Sequence, residues 1–301
     1  MALFLCSISE SIILASKTII LLANSAWNLW NYRSALVGQL INAGYTVLLA
    51  APIDGYENRL AQSYPNARFF PIRQLSRRSF SAFKNFATLA ECYLLFRRTR
   101  PDLVLLFTIK LNILGNLAAR MAGISTISII EGLGYSGTHA ARWRRLAVPL
   151  LRLALKKAKK IVLLNHDDAL EFERNRIASA GQSLVISGPG IDTNHFKYSR
   201  DRQAGRIVFL YSGRLLVEKG IREFLEAARL LEQQGAPAEF QVLGNPDPGN
   251  PSTIELAELE HWKTNVPVKF LGSTDDVRTN LAKADVLVLP SYYGEGVPRS
   301  V

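Results

Sequence analysis

Short apolar runs alternate with amphipathic stretches along this chain, and that alternation constrains its fold more than any other feature. Thr18–Asn24 (TIILLAN) reads as a buried strand. The helix after it carries Leu36, Val37, Leu40 and Ile41 on one face and closes at Gly44. Tyr45–Ala50 and Ala67–Ile72 are the next strands. Ser79–Arg98 has Phe80, Phe83, Ala87, Ala90 and Leu94 at helical spacing and stops before Pro101. Strand Asp102–Thr108, helix Asn112–Ala122 ended by Gly123, and strand Ile124–Ile130 follow. A basic helical stretch, Ala141–Ala158, leads to strand Ile161–Asn165, helix Asp167–Ser179 and strand Leu184–Ser187.

GPGIDTNHF then reads as a linker, and the alternation restarts. Strand Ile207–Ser212 precedes helix Ile221–Leu231, with Ile221, Phe224, Leu225 and Ala228 inward. Strand Phe240–Leu243, the turn cluster NPDPGNP, helix Ile254–Trp262, strand Val268–Leu271, helix Asp275–Ala282 and strand Val286–Leu289 complete the pattern. Such alternation produces parallel sheets covered on both faces. Two runs joined near residue 190 predict an α/β protein of two Rossmann-like domains facing across a cleft. The expected division is 17–190 and 191–301. Residues 1–16 are either a disordered lead or a start codon placed too early. Glu10 and Lys17 interrupt this apolar end, so no span reaches membrane length, and no basic n-region marks a signal peptide.

Charge separates the two runs. Residues 1–200 hold 25 Lys/Arg against 11 Asp/Glu; residues 201–301 hold 11 against 14. The basic first part favours polyanions or an anionic membrane. Its densest segment, Arg142–Lys160, has eight basic residues and no acid, with Leu146, Leu150, Leu153 and Leu155 interleaved. It reads as a membrane-surface helix using Arg142, Arg144, Arg145, Lys156 and Lys157, set against a packed helix with a solvated basic face. Cys6 and Cys92 have no metal-ligand spacing and read as reduced thiols of a cytoplasmic protein. His139, His166, His195 and His261 show no ligand spacing, and no D-x-D, Walker loop or H-E-x-x-H is present.

Two motifs carry chemistry. GRLLVEKG, Gly213–Gly220, follows a strand directly. Arg214 and Lys219 flank a helix entrance whose N–H groups face the same way, a combination suited to a diphosphate. Two solvated surface cations are the competing reading. At the end of the chain, strand DVLVLPS leads into YYGEGVP, where glycines around Glu295 allow close backbone approach and Pro298 suits a first helical turn. The chain stops three residues later, so the second domain is expected to be incomplete. A third motif, EGLGYSG at Glu131–Gly137, contains a literal G-x-G-x-x-G. The acid a dinucleotide needs about 20 residues on is missing, and the segment reads as a turn lining the cleft.

GRLLVEKG, VLGNPDPGNP, FLGS and DVLVLPSYYGEGVPRSV resemble the donor domain of retaining GT-B glycosyltransferases of family 4. NSAWNLWNYRSALVGQLINAGYTVLLAAP, FTIKLNILGNLAARMAG and IIEGLGY resemble the branch adding a sugar, often N-acetylgalactosamine, to undecaprenyl-diphosphate-linked saccharides for O-antigen, capsule or protein glycosylation. The likeness runs from Lys17 to the last residue. It implies that Arg214 and Lys219 bind the nucleotide diphosphate. Glu295, first acid of an E-x7-E motif, would contact the donor sugar; with Arg214 and Lys219 it forms the implied catalytic set. Gly296 and Val297 would lie by the sugar and phosphate, and Gly244 and Gly272 near the base. Asn24, Ser25, Arg33, Lys110, Glu131 and Gly132 would form the acceptor or cleft side. The second acid would fall beyond the last residue, Glu131 stands where many relatives have His, and the first loop lacks the glycine pair many relatives carry.

The resemblance implies transfer of an N-acetylhexosamine or hexose from a UDP-sugar, with retention of configuration, to a lipid-linked saccharide. No cofactor or metal is expected, nor any nucleic-acid partner. The expected location is cytoplasmic, peripheral on the inner face of the cell membrane. Two rival readings are an NAD-dependent nucleotide-sugar-modifying enzyme and a non-catalytic protein binding anionic membrane or nucleic acid.

Overall fold

A computed structural model describes residues 17–76, 81–132, 140–179, 181–199, 201 and 205–292; the side chains of 140–146 are not among them. The lead 1–16 therefore lies outside the described residues. The chain forms two compact units, with the boundary between Ile191 and Asp192.

The first unit holds β1 (Thr18–Leu22), α1 (Ala26–Asn42), β2 (Thr46–Ala51), α2 (Glu57–Ser63), β3 (Arg68–Pro71), α3 (Ala82–Thr99), β4 (Leu103–Phe107) and α4 (Ile109–Ala122). It continues through β5 (Ser125–Ile130), α5 (Ala140–Leu155), β6 (Lys160–Leu163), α6 (His166–Arg174) and β7 (Ser183–Val185). Among the described residues its strands form a parallel seven-stranded sheet in the order β3-β2-β1-β4-β5-β6-β7. Ile20 pairs with Leu48 on one side and Val104 on the other. Successive residues of a strand point to opposite faces, which explains why β1 is apolar throughout. Ile19 and Leu21 join Leu29, Val37 and Leu40 of α1 in one core layer. Ile20 and Leu22 join Cys92 and Phe96 of α3 and Leu111 and Ala118 of α4 in the other.

Several expectations are corrected. α3 turns Thr88, Cys92, Leu95 and Phe96 inward, whereas Phe83 and Leu94 are exposed. Both sets fit helical spacing, so periodicity alone does not choose the buried face. Phe80 lies outside the described residues. α4 begins at Ile109 because Thr108 takes φ 71°, an unfavourable backbone for a β-branched residue, at the turn out of β4. α6 ends at Arg174, not Ser179: Asn175 Nδ2 donates to Glu171 O at 2.8 Å and Arg176 turns left-handed at φ 50°. α2 was not expected; it buries one residue, Leu60, and is too short to show a period.

A polar seam binds α4 to β5. Asn116 Nδ2 donates to Ser128 Oγ at 2.8 Å, Thr126 Oγ1 donates to Asn116 Oδ1 at 2.6 Å, and Asn112 Nδ2 donates to Ile129 O at 2.8 Å. All four polar side chains are buried, so each depends on these partners.

The second unit holds β8 (Ile207–Ser212), a 3-10 turn at Val217–Lys219, α7 (Ile221–Gln233), β9 (Ala238–Leu243), α8 (Leu256–Asn265), β10 (Val268–Gly272), α9 (Arg278–Lys283) and β11 (Val286–Val288). Among the described residues these strands form a parallel sheet ordered β10-β9-β8-β11. α7 buries Ile221, Phe224, Leu225 and Ala228. Phe209 stacks on Phe240 with centroids 5.2 Å apart. α8 starts later than expected because Ile254 is held in the preceding loop, its N–H donating to Leu215 O at 3.0 Å. α9 also starts late: Asp276 Oδ1 accepts from Arg278 N at 3.0 Å and holds the residues before it in a turn.

Candidate functional site

The candidate donor site is the carboxyl edge of the second sheet. Gly213, Gly244 and Gly272 stand at the ends of β8, β9 and β10, three adjacent strands. Gly213 N donates to Leu243 O at 3.0 Å, and Gly244 N donates to Gly272 O at 2.6 Å. Gly244 has φ 153°, and a Cβ there would lie 1.8 Å from Gly213 O. Only a residue without a side chain permits this approach. Asn245 Nδ2 then reaches Ser273 Oγ at 3.0 Å, tying the β9 and β10 loops together.

Arg214 begins the loop out of β8. Its backbone carbonyl accepts from Tyr211 OH at 3.0 Å, and Tyr211 is buried. Its guanidinium pairs with Asp247 at 2.7 Å while remaining 56% exposed. Asp247 N in turn donates to Thr253 Oγ1 at 2.8 Å. Leu215 and Leu216 are buried below, and Leu216 bridges to Thr253. The motif is thus anchored by its two leucines and presents Arg214 to solvent.

Lys219 lies in the 3-10 turn that precedes α7, at the helix entrance. Gly220 follows at φ 73° and serves as the cap of α7, with no side chain capping the first N–H groups. Those groups remain available to an anion. A Cβ on Gly220 would lie 2.1 Å from Pro290 O. Tyr292 N donates to Glu218 O at 3.3 Å, and Ser291 Oγ donates to the same oxygen at 3.4 Å. The segment Glu218–Gly220 and the segment after β11 are therefore in direct contact, although they are far apart in sequence. Glu295, Gly296 and Val297 lie outside the described residues.

In the first unit, the residues expected on the acceptor side fall around the carboxyl edges of β1, β4 and β5. Ser25 caps α1 with Oγ accepting from Asn28 N at 3.0 Å. Asn24 precedes it, half-buried. Lys110 in the first turn of α4 donates to Ser76 O at 2.9 Å. Burial lowers its pKa, with Lys84 adding to the shift. Glu131 and Gly132 follow β5, Gly132 at φ 136°. Arg33, expected on the same side, does not reach solvent. It is completely buried, lies 4.3 Å over the Phe107 ring and pairs with Glu131.

The described part of α5 packs Ala147, Leu151, Ala154 and Leu155 inward, and Leu150, Arg152 and Leu153 outward. Lys156 and Lys157 are exposed in the turn after the helix ends at Leu155, short of the expected Ala158. The side chains of Arg142, Arg144 and Arg145 lie outside the described residues. Among the described residues, no helix is long and apolar enough to cross a membrane, and no cluster of three metal-ligating side chains occurs. Neither the polar seam nor the Arg33–Glu131 pair carries a local sequence signal, because each joins residues from separate elements.

The fold is that of a GT-B protein. Sucrose-phosphate synthase of Thermosynechococcus elongatus superposes with a TM-score of 0.72 at 19% identity, covering 94% of this chain and 77% of that one. Anabaena HepE in complex with UDP-glucose superposes at 0.67 with 17% identity, covering 94% and 76%. Residues 18–165 match the family described as Glycosyl transferase 4-like, and residues 206–301 match Glycosyl transferases group 1. The chain is a glycosyltransferase and belongs to this family 4, group 1 type. A Campylobacter jejuni N,N'-diacetylbacillosaminyl-diphospho-undecaprenol alpha-1,3-N-acetylgalactosaminyltransferase is 28% identical, over 93% of this chain and 76% of its own length. An Escherichia coli UDP-Gal:alpha-D-GlcNAc-diphosphoundecaprenol alpha-1,3-galactosyltransferase is 24% identical, over 74% of this chain and 60% of its own length.

Proposed function

We propose that this protein moves an N-acetylhexosamine or hexose from a UDP-sugar to a lipid-linked saccharide, with retention of configuration, in the assembly of a bacterial surface polysaccharide or glycan. The observation that carries the reading is the contact of Glu218–Gly220 with Pro290–Tyr292 at the sheet edge that also presents Arg214. It supports one donor site built from two motifs. The acceptors named for the Campylobacter and Escherichia relatives, both undecaprenol diphosphates, support a lipid-linked acceptor here.

In this reading the second unit binds UDP. Arg214, Lys219 and the open N–H groups of α7 take up the charge that develops on the diphosphate as the glycosidic bond breaks, so no metal is assigned to the step. Glu295 is assigned to the donor sugar, Gly296 and Val297 to the sugar and phosphate, and Gly244 and Gly272 to the base. The acceptor hydroxyl attacks the anomeric carbon on the face the diphosphate leaves, and its proton passes to the departing phosphate oxygen. The acceptor, positioned by the first unit, keeps the linkage to its lipid. The exposed Leu150 and Leu153 beside Arg152, Lys156 and Lys157 favour peripheral contact with an anionic inner-membrane surface.

The test incubates the purified chain with a panel of UDP-sugars and an undecaprenyl-diphosphate-linked monosaccharide, and reads the product by mass spectrometry and its anomeric configuration by NMR. An extended lipid-linked product with an alpha linkage is expected. No product from any donor, together with no UDP binding by calorimetry, would overturn the reading.

A further inference from the structure

Among the described residues, Arg33 is the largest completely buried side chain, and its natural state is charged. A charge withdrawn from water needs a counter-ion and a polarisable neighbour. Arg33 has both: its guanidinium sits 4.3 Å over the centroid of Phe107, the last residue of β4, and it pairs with Glu131, the first residue after β5. The two ends of this pair differ. The arginine is dry, whereas the Glu131 side chain is 29% exposed. One end is locked into the core and the other opens at the carboxyl edge of the sheet.

That edge is where the strand order reverses, with β1 between β2 and β4, the place where open α/β sheets receive ligands. The topology places further acceptors there. Asn28 Oδ1 in the first turn of α1, Thr108 Oγ1 directly after β4 and Asn112 Oδ1 in the first turns of α4 are buried and have no hydrogen-bond partner among the described residues. Asn28 is 8% exposed and Asn112 fully buried. Buried acceptors without partners are uncommon. These oxygens are sealed from solvent, so the acceptor open to a ligand at this edge is the Glu131 carboxylate, which suits a neutral ligand rich in hydroxyl and amide N–H groups. It does not suit an anionic diphosphate, which a carboxylate repels.

We propose that Glu131 binds hydroxyl groups of the acceptor saccharide and sets acceptor preference, and that Arg33 is a positioning residue that fixes its carboxylate from beneath. This rests on the glycosyltransferase reading above. Arg33 itself does not touch substrate. Its planar fork, clamped on Phe107, holds the Glu131 carboxylate in one orientation, so the outward lone pairs meet the sugar without a prior ordering step.

The test measures kcat, and separate KM values for donor and acceptor, in Glu131→Gln, Arg33→Met and the double variant, with thermal melting as the fold control. The probes are UDP-N-acetylgalactosamine, or whichever UDP-sugar the wild type uses, and a short-chain polyprenyl diphosphate carrying one N-acetylglucosamine. Glu131→Gln is expected to raise the acceptor KM about tenfold or more, the effect of losing a charged hydrogen bond, with donor KM within about twofold. Arg33→Met is expected to move the same constant in the same direction, and the double variant to be no worse than the weaker single one, because the two residues act as a unit. If Arg33→Met does not fold, the double variant, which leaves no uncompensated buried charge, and Glu131→Gln carry the test. An unchanged acceptor KM in Glu131→Gln, or a shift in donor KM instead, overturns the proposal while wild-type transfer stands. Absence of transfer by the wild type overturns the parent reading.

Discussion

Arg214 Nη1 lies 2.7 Å from Asp247 Oδ2, so the cation at the head of the GRLLVEKG motif is oriented by a carboxylate from the loop after β9 of its own unit. Arg214 is 56% exposed and Asp247 23%. A pair this open to solvent is worth less than about 1 kcal/mol of stability. We expect Asp247→Asn to leave the melting temperature nearly unchanged and to alter the Kd for UDP by less than about fivefold, read by calorimetry. A larger loss of affinity would make Asp247 a ligand-binding residue in its own right.

Arg214→Ala and Lys219→Ala should behave differently from that change. On the proposed assignment, each removes positive charge from the place where the diphosphate becomes more negative during transfer. Turnover should fall by roughly 10² or more in each variant, the size typical of losing a donor to a developing oxyanion. Steady-state rates at saturating donor and acceptor provide the check; near-normal transfer by both variants would remove the diphosphate assignment.

Gly220 is constrained twice, by φ 73° and by Pro290 O, which a Cβ would meet at 2.1 Å. The contact is with backbone, so no side chain can swing away. Gly220→Ala should destabilise the second unit by about 3 kcal/mol or more, combining left-handed strain with displacement of the segment after β11. Because that displacement moves Glu218 away from Tyr292, UDP affinity should fall in parallel. Chemical denaturation and calorimetry on one preparation distinguish this from a purely local effect.

Asn116 serves as both donor and acceptor in the seam between α4 and β5. Asn116→Ala leaves Thr126 and Ser128 buried without their partner and opens a small cavity. A loss of about 2–4 kcal/mol is expected in urea denaturation. A loss below 1 kcal/mol would mean that water replaces the missing amide.

Burial raises the Cys92 thiol to about 12 from the ordinary 9.0, with the Glu91 charge adding to the shift. The folded protein keeps this proton where the unfolded chain releases it. Stability from this group is therefore fully present below about pH 9 and declines as pH rises toward 12, by up to about 1.4 kcal/mol per unit. Denaturation at pH 8 and pH 10 should show the fall, and Cys92→Ala should flatten it. Native Cys92 should also resist alkylation until the chain is unfolded.

Much of this architecture is legible along the chain. β1 and β4 are apolar on both faces, and Gly44 and Gly123 mark the ends of α1 and α4, so the alternation of elements is readable from local periodicity. Local signals fail where two solutions have the same period. In α3 the exposed Phe83 and Leu94 are as well spaced as the buried Cys92 and Phe96. They fail again where an element is too short to have a period, as in α2 and the 3-10 turn holding Lys219. In the candidate site, Arg214 and Lys219 stand out because they follow a strand directly. Asp247 does not, because nothing near it in sequence indicates which cation it will meet.

The sequence by itself determined the class of the protein: strands buried on both faces, helices between them, and the order of motifs that marks a glycosyltransferase. These are properties of neighbouring residues, set by side-chain period and by the turn preferences of glycine and proline. Tertiary structure alone decided that β1 lies between β2 and β4, that Glu218 meets Tyr292, and that Arg33 is sealed beneath Glu131 rather than exposed to a ligand. The reason is physical: a buried charge is tolerable only where packing delivers its counter-ion, and that delivery depends on how separate elements stack, which no local stretch of chain encodes.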